Sequence, residues 1–115
     1  MEARRLEIEL LWWDGCPSTD AMREELERAL ADVGLAGTAI VLREMPSEEA
    51  AGRQGFVGSP TVLIDGRDPF APPAGEPTGL TCRIYRLRDG RLSSTPDPAD
   101  LRDALRSAAA SGGEA

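Results

Sequence analysis

Leu6, Ile8 and Leu10 alternate with Glu7 and Glu9, and then Leu11, Trp12 and Trp13 form an unbroken apolar run. Period two passing into continuous apolarity predicts a strand over residues 6–13 that becomes buried along its length. Met22, Leu26, Ala29, Leu30 and Val33 recur at helical spacing with charges between them, and Gly34 stops the helix. A second strand is predicted over residues 38–43. Pro46-Ser47 introduces a short helix over residues 48–54, with Ser47 as its cap and Glu48 and Glu49 in its first turn. Thr61-Val62-Leu63-Ile64 reads as a short buried strand ended by the turn dipeptide Asp65-Gly66. Residues 67–79 carry Pro69, Pro72, Pro73 and Pro77, which favour an extended loop over a helix. Phe70 is the one large apolar side chain there and is expected to pin the loop to the domain. An exposed Phe70 would instead point to a partner or homodimer contact. A fourth strand is predicted over residues 81–87, ended by Asp89-Gly90. Asp97-Pro98 opens a last helix, with Asp97 as cap and Leu101, Ala104, Leu105 and Ala108 as its inward stripe. Residues 111–115 read as a frayed, disordered tail.

The order β-α-β-α-β-β-α in 115 residues suits one α/β domain over residues 1–115. The net charge of −7 disfavours nucleic acid and anionic membranes as partners. No apolar run approaches the ~18 residues of a membrane span, and none has the form of a secretory signal. The expected location is therefore cytoplasmic. All 13 basic residues are arginine; with abundant Ala, Gly and Pro this fits a GC-rich genome. Histidine is absent, which removes the usual general base, the usual zinc ligand and any Cys-His dyad. Two cysteines, Cys16 and Cys82, do not make a four-ligand zinc site, so no structural metal and no cofactor are expected. In a reducing compartment they are expected to be free thiols.

Candidate chemistry centres on Cys16. It follows the first strand and precedes the first helix, where unpaired N–H groups and the positive end of the helix dipole favour a thiolate. The thiolate is the form that attacks disulfides or binds soft metals. Pro17 suits the first helical position, which would make Cys16 the cap; capping by Ser18 or Thr19 would start the helix later and weaken the dipole at Cys16. Asp14 either opposes the thiolate, exchanges protons with it, or is a solvated turn residue. Pro60 stands at the mouth of the third strand, where proline needs a reason. A cis Ser59-Pro60 bond is one; a plain trans proline is the alternative.

The element order, the cysteine after the first strand and the proline before the third resemble the thioredoxin-like fold. More narrowly, Asp14-Gly15-Cys16-Pro17, Gly58-Ser59-Pro60-Thr61, Asp65-Gly66-Arg67-Asp68-Pro69-Phe70 and Cys82-Arg83-Ile84-Tyr85-Arg86 resemble a group of small bacterial thioredoxin-family proteins. Some of that group are labelled organomercurial lyase-like. The resemblance implies a central four-stranded mixed sheet flanked by three helices. It implies Cys16 as attacking thiol, faced by a cis Pro60. Trp13, Asp14, Ser59 and Thr61 would surround the substrate, with an aromatic beside the thiol and a backbone group next to Pro60 left free to pair with an extended peptide or glutathione. Thr19 stands where the family's resolving cysteine would fall, so the pattern is closer to monothiol glutaredoxins.

Cys82 is the ambiguous residue: a distant resolving thiol, half of a two-thiol clamp, or a core side chain. At roughly 3.3 Å per residue over four residues of a returning strand, it is expected about 13 Å or more from the active end. It shares a face with Ile84, which favours the core reading. Trp12 and Trp13 point to opposite faces, one expected in the core and the other beside the thiol. The leading expectation is a thiol–disulfide protein acting through Cys16 on a protein or glutathione disulfide, a monothiol oxidoreductase if it turns over. The alternatives are soft-metal or organomercurial chemistry using both thiols, and a binding module without turnover.

Overall fold

Strand β1 (Ile8–Trp12) is the centre of a three-stranded mixed sheet. The computed structural model describes residues 6–71, 75 and 77–111; Pro72, Pro73 and the tail beyond residue 111 lie outside them. β2 (Ile40–Glu44) pairs with β1 in parallel, Ile8 against Ile40 through Trp12 against Glu44. Parallel pairing needs a long crossover, supplied by α1 (Thr19–Asp32). β3 (Thr61–Ile64) pairs with the other edge of β1 antiparallel, Leu11 opposite Thr61. β1 therefore leaves the sheet at the edge where β3 enters it. This register brings the turn bearing Cys16 alongside Ser59-Pro60.

The period of two sorts the strands onto two cores. Ile8, Leu10, Val62 and Ile64 face α1 and α3 (Pro98–Ser111), where Met22, Leu26, Ala29, Leu30, Leu101 and Leu105 complete the larger cluster. Leu11 faces the other way, onto Met45, Ala51 and Phe56 near α2 (Glu48–Gln54). Helix ends follow local chemistry. Ser47 Oγ accepts from Ala50 N–H at 3.1 Å, and Asp97 Oδ1 from Ala99 N–H at 2.9 Å. α1 ends with Gly34 at φ 82°, with Gly34 N–H bonded to Ala31 O and Leu35 N–H to Leu30 O. That closure satisfies two carbonyls that would otherwise be orphaned.

α1 begins at Thr19, the later of the starts the sequence leaves open; Ser18 stands at the N-cap position without a side-chain capping bond, and Cys16 lies in the turn before the helix. One expectation is corrected: among the described residues the sheet has three strands, not four. In place of a strand over residues 81–87 there is an isolated parallel bridge between Ser59 and Cys82, then β4 (Tyr85–Arg86) paired with β5 (Leu92–Ser93) in a separate ribbon. Pro60 has no N–H to carry a ladder forward. The space along β3 is filled by side chains instead: the buried Arg83 bonds Thr61 Oγ1, Asp68 and the Phe70 carbonyl, and Tyr85 OH bonds the Pro60 carbonyl. Phe70 is half-buried against the larger core and meets Tyr85 edge-on, ring centres 5.8 Å apart. It pins its loop as expected.

Candidate active site

The turn after β1 is shaped by Trp13. A Cβ on Gly15 would run into the Trp13 indole ring, so glycine lets the turn fold under the ring where it now stands. Cys16 N–H bonds Trp13 O at 3.1 Å and closes the turn. The indole N–H reaches across to Thr81 O at 3.1 Å. Trp13 thus flanks the thiol turn as expected, packed partly on the Phe56 cluster. Trp12 and Trp13 are both half-buried, so neither is the fully buried core residue expected of one of them. Asp14 stands exposed on the turn.

Cys16 is only 7% exposed. Protonated, its thiol donates to Ser59 O at 3.4 Å. Burial opposes ionisation, but hydrogen bonds outweigh it: the backbone N–H of Ser18, then the side chains of Ser59, Cys82 and Ser18. The result is a thiol pKa below the ordinary value of 9.0. The helix start thus still contributes, through the Ser18 backbone, although Cys16 is not its cap. Ser59 is fully buried and its hydroxyl has no oxygen or nitrogen partner. The Cys16 thiolate is a stronger acceptor for that hydroxyl than the neutral thiol, and an unpaired buried donor costs about 1–3 kcal/mol. That asymmetry favours the thiolate.

Cys82 overturns the geometric expectation. It is neither remote from the active end nor in the core: its side chain is exposed, it pairs with Ser59 in the parallel bridge, and the Cys16 thiol bonds the carbonyl of that same Ser59 at 3.4 Å, so the two cysteines flank one residue and each influences the other's ionisation. Both thiols are free. The bond Cys82 makes to the Cys16 thiolate, followed by burial and charge repulsion, raises its own pKa. The pair therefore ionises in order, Cys16 first, with Cys82 held as donor. The error was one of phase. Arg83 and Tyr85 point inward, while Cys82 and Ile84 point outward. A one-residue slip exchanges the two faces.

The Ser59-Pro60 bond is cis, as expected. The backbone group beside it is not free, however. Ser59 N–H donates to Thr81 O at 2.7 Å, and Ser59 O accepts from Arg83 N–H at 2.8 Å. Residues 81–83 lie along Ser59 as an extended peptide would. Gly58, at φ 145°, permits this approach, since a Cβ there would be 3.0 Å from Arg83 Cβ. Thr61 is turned into the interior, donating to Gly58 O at 2.6 Å and accepting from Arg83, so its hydroxyl is committed to the scaffold.

Arg83 is the residue that sequence reasoning missed. Its guanidinium pairs with Asp68 at 2.7 Å and sits 4.7 Å from the Tyr85 ring centre. It fixes the segment that presents Cys82. The signal was present in the Arg83-x-Tyr85 alternation, with Asp68 as a carboxylate for the buried arginine. Among the described residues no cluster of three His, Cys, Asp or Glu side chains could hold a metal ion. No helix there is long and apolar enough to cross a membrane. Compared with known proteins, the chain matches no family model, no curated protein sequence and no solved structure.

Proposed function

We propose that the chain is a thioredoxin-like thiol–disulfide protein in which Cys16 attacks and Cys82 resolves. The observation that carries this reading is that Ser59 joins the two free cysteines, its carbonyl accepting from the Cys16 thiol and its backbone bridged to the exposed Cys82, with the pKa of Cys16 lowered and that of Cys82 raised. The parallel β1–α1–β2 unit, the antiparallel β3 and the cysteine turn facing the residue before Pro60 support the thioredoxin-like assignment. Residues 81–86 then stand for a fourth strand detached from the sheet. The monothiol expectation gives way because Cys82 supplies what Thr19 lacks.

The order of ionisation suits the chemistry. While Cys16 is charged it keeps Cys82 protonated. Once Cys16 enters a mixed disulfide its charge is gone, so the hydrogen bond and the repulsion that raised the Cys82 pKa vanish together. Cys82 then becomes the easier thiol to ionise, beside the disulfide it must attack. Mixing the reduced protein with hydroxyethyl disulfide should release both halves as free thiols. Cys16→Ser should abolish that release. Wild-type speed in Cys16→Ser would contradict the assignment.

Soft-metal or organomercurial chemistry is the second reading, favoured by the same juxtaposition of two sulfurs. A thiolate and a neighbouring S–H are a soft ligand and a proton source in one place. A mercury titration separates the two readings. If Cys82→Ala abolishes tight one-to-one binding while the wild type fails to reduce hydroxyethyl disulfide, the metal reading stands and the redox reading falls.

A further inference from the structure

The backbone beside Pro60 is spent within the chain itself. Ser59 uses its N–H on Thr81 and its C=O on Arg83. The segment that takes these bonds is anchored by Arg83 to Asp68, Thr61 and the Phe70 carbonyl, and by the Trp13 indole to Thr81 O. An extended peptide that sought Ser59 would have to break two backbone hydrogen bonds and strip these anchors. Left unmade, such buried groups cost about 1–3 kcal/mol each. Cys16 is also nearly buried. In contrast, a cleft of about 840 Å³ opens on the Cys82 side of this segment, lined by Cys82, Thr81, Ile84, Arg86 and Asp100 among others, though Cys16 itself does not line it. That volume lies in the range of small-molecule sites, about 300–1,000 Å³.

We infer that the site reacts with small, low-molecular-weight disulfides and discriminates against disulfides within extended peptides, because residues 81–83 already occupy the peptide-pairing edge at Ser59. This rests on the thiol–disulfide reading above and specifies its substrate class. Cys82 lies on the segment that fills this edge, which makes the internal segment both the barrier to large substrates and the carrier of the resolving thiol. The step balances. The Cys16 thiolate attacks a small disulfide RSSR, the S–S bond breaks, and RS⁻ leaves with Cys16–S–S–R remaining. Cys82 loses its proton to solvent and attacks the Cys16 sulfur, releasing the second RS⁻ and forming Cys16–S–S–Cys82. The two cysteines are oxidised by two electrons and the small disulfide is reduced by two.

The test uses the reduced full chain and two probes with the same reacting group: hydroxyethyl disulfide, and an unstructured peptide whose central cysteine carries the hydroxyethyl mixed disulfide. Each rate of Cys16 consumption is divided by the rate for the urea-unfolded chain, which removes intrinsic reactivity. The expected result is a folded-state preference for the small probe of at least ~tenfold, the change that about 1.4 kcal/mol produces. Equal rates, or faster reaction with the peptide, overturn the inference while leaving Cys16 as the attacking thiol. Failure of Cys16 to react with either probe overturns the thiol–disulfide reading itself, and the inference with it.

Discussion

Residues 6–64 and the described residues between 65 and 96 are held together by different physics. In the first stretch backbone ladders join three strands, and two apolar clusters fix the helices against them. In the second, strands shrink to two residues and the order comes from side chains reaching backbone: Arg83 to Phe70 O, Tyr85 to Pro60 O, Trp13 to Thr81 O. Each stretch contributes one thiol. Cys16 is placed by the register of β1 against β3, and Cys82 by two backbone hydrogen bonds to Ser59 together with the side-chain anchors of the buried Arg83. The nucleophile therefore depends on the sheet, while its partner depends on a handful of polar contacts.

Removing the arginine should break this arrangement most severely. Arg83→Ala leaves Asp68, mostly buried, without its 2.7 Å ion-pair partner. Truncating one side of a buried pair costs about 3–5 kcal/mol, read as a shift in the urea unfolding midpoint. The same variant should slow resolution more than attack, since Cys82 loses its anchor. Arg83→Lys should recover only part of both, because an ammonium does not reproduce the guanidinium fork.

A core substitution in the first stretch sharpens the contrast. Leu26→Ala removes a fully buried side chain from the larger cluster. It should cost about 2–5 kcal/mol and leave the alkylation rate of Cys16 unchanged in the folded state. A comparable loss of stability from Leu26→Ala and Arg83→Ala, with thiol chemistry disturbed only by the second, would establish the division of labour. Equal disturbance by both would dissolve it.

Ionisation provides a finer probe. Cys16 has a folded pKa below 9.0, so the unfolded chain holds that proton to higher pH. Stability of the reduced protein should therefore rise as pH increases from the lowered Cys16 pKa to 9.0. Cys82 has the opposite sign: its raised pKa makes stability fall as pH climbs from 9.0 through its own titration. Cys82→Ala should remove the part of the fall that begins at 9.0, leaving the fall above 10.0 that comes from the Tyr85 phenol, whose pKa burial raises. It should also move the Cys16 alkylation profile to higher pH, because a donor to the thiolate is lost. An unmoved profile would show that the two thiols do not communicate.

The smallest effect is expected at Arg88. Its guanidinium pairs with Asp100 and Asp103 at 2.7 and 2.8 Å, contacts as short as that of Arg83, but these groups are solvent-exposed. Water and salt screen such pairs. Arg88→Ala should shift the unfolding midpoint less than any change above, and added salt should erase the shift.

The first stretch was legible because its information is periodic. Ile8 and Leu10 against Glu7 and Glu9 identify a strand, Met22, Leu26 and Leu30 a helix face, and Ser47 and Asp97 are caps with a local mechanism. In the candidate site, Cys16, Ser59 and the cis Pro60 were legible for the same reason, as punctuation between periodic elements. Residues 81–86 were not. There an apolar Ile84 is 62% exposed and a charged Arg83 is buried, which inverts the ordinary meaning of hydrophobicity. Only the partners explain it, and Asp68, Thr61 and Phe70 are 13 to 22 residues away in the chain. The helix start stays open in the sequence because Pro17, Ser18 and Thr19 each suit a cap or first-turn position.

The central claim is that Cys16 and Cys82 act as one pair. Its most direct test is to treat the reduced chain with one equivalent of hydroxyethyl disulfide, trap remaining thiols in acid and map the products by peptide mass spectrometry. The account predicts a Cys16–Cys82 disulfide within a single chain, with the mixed disulfide on Cys16 accumulating only in Cys82→Ala. A wild-type protein that stalls with the hydroxyethyl group on Cys16, or that links Cys16 to a second chain, would contradict it.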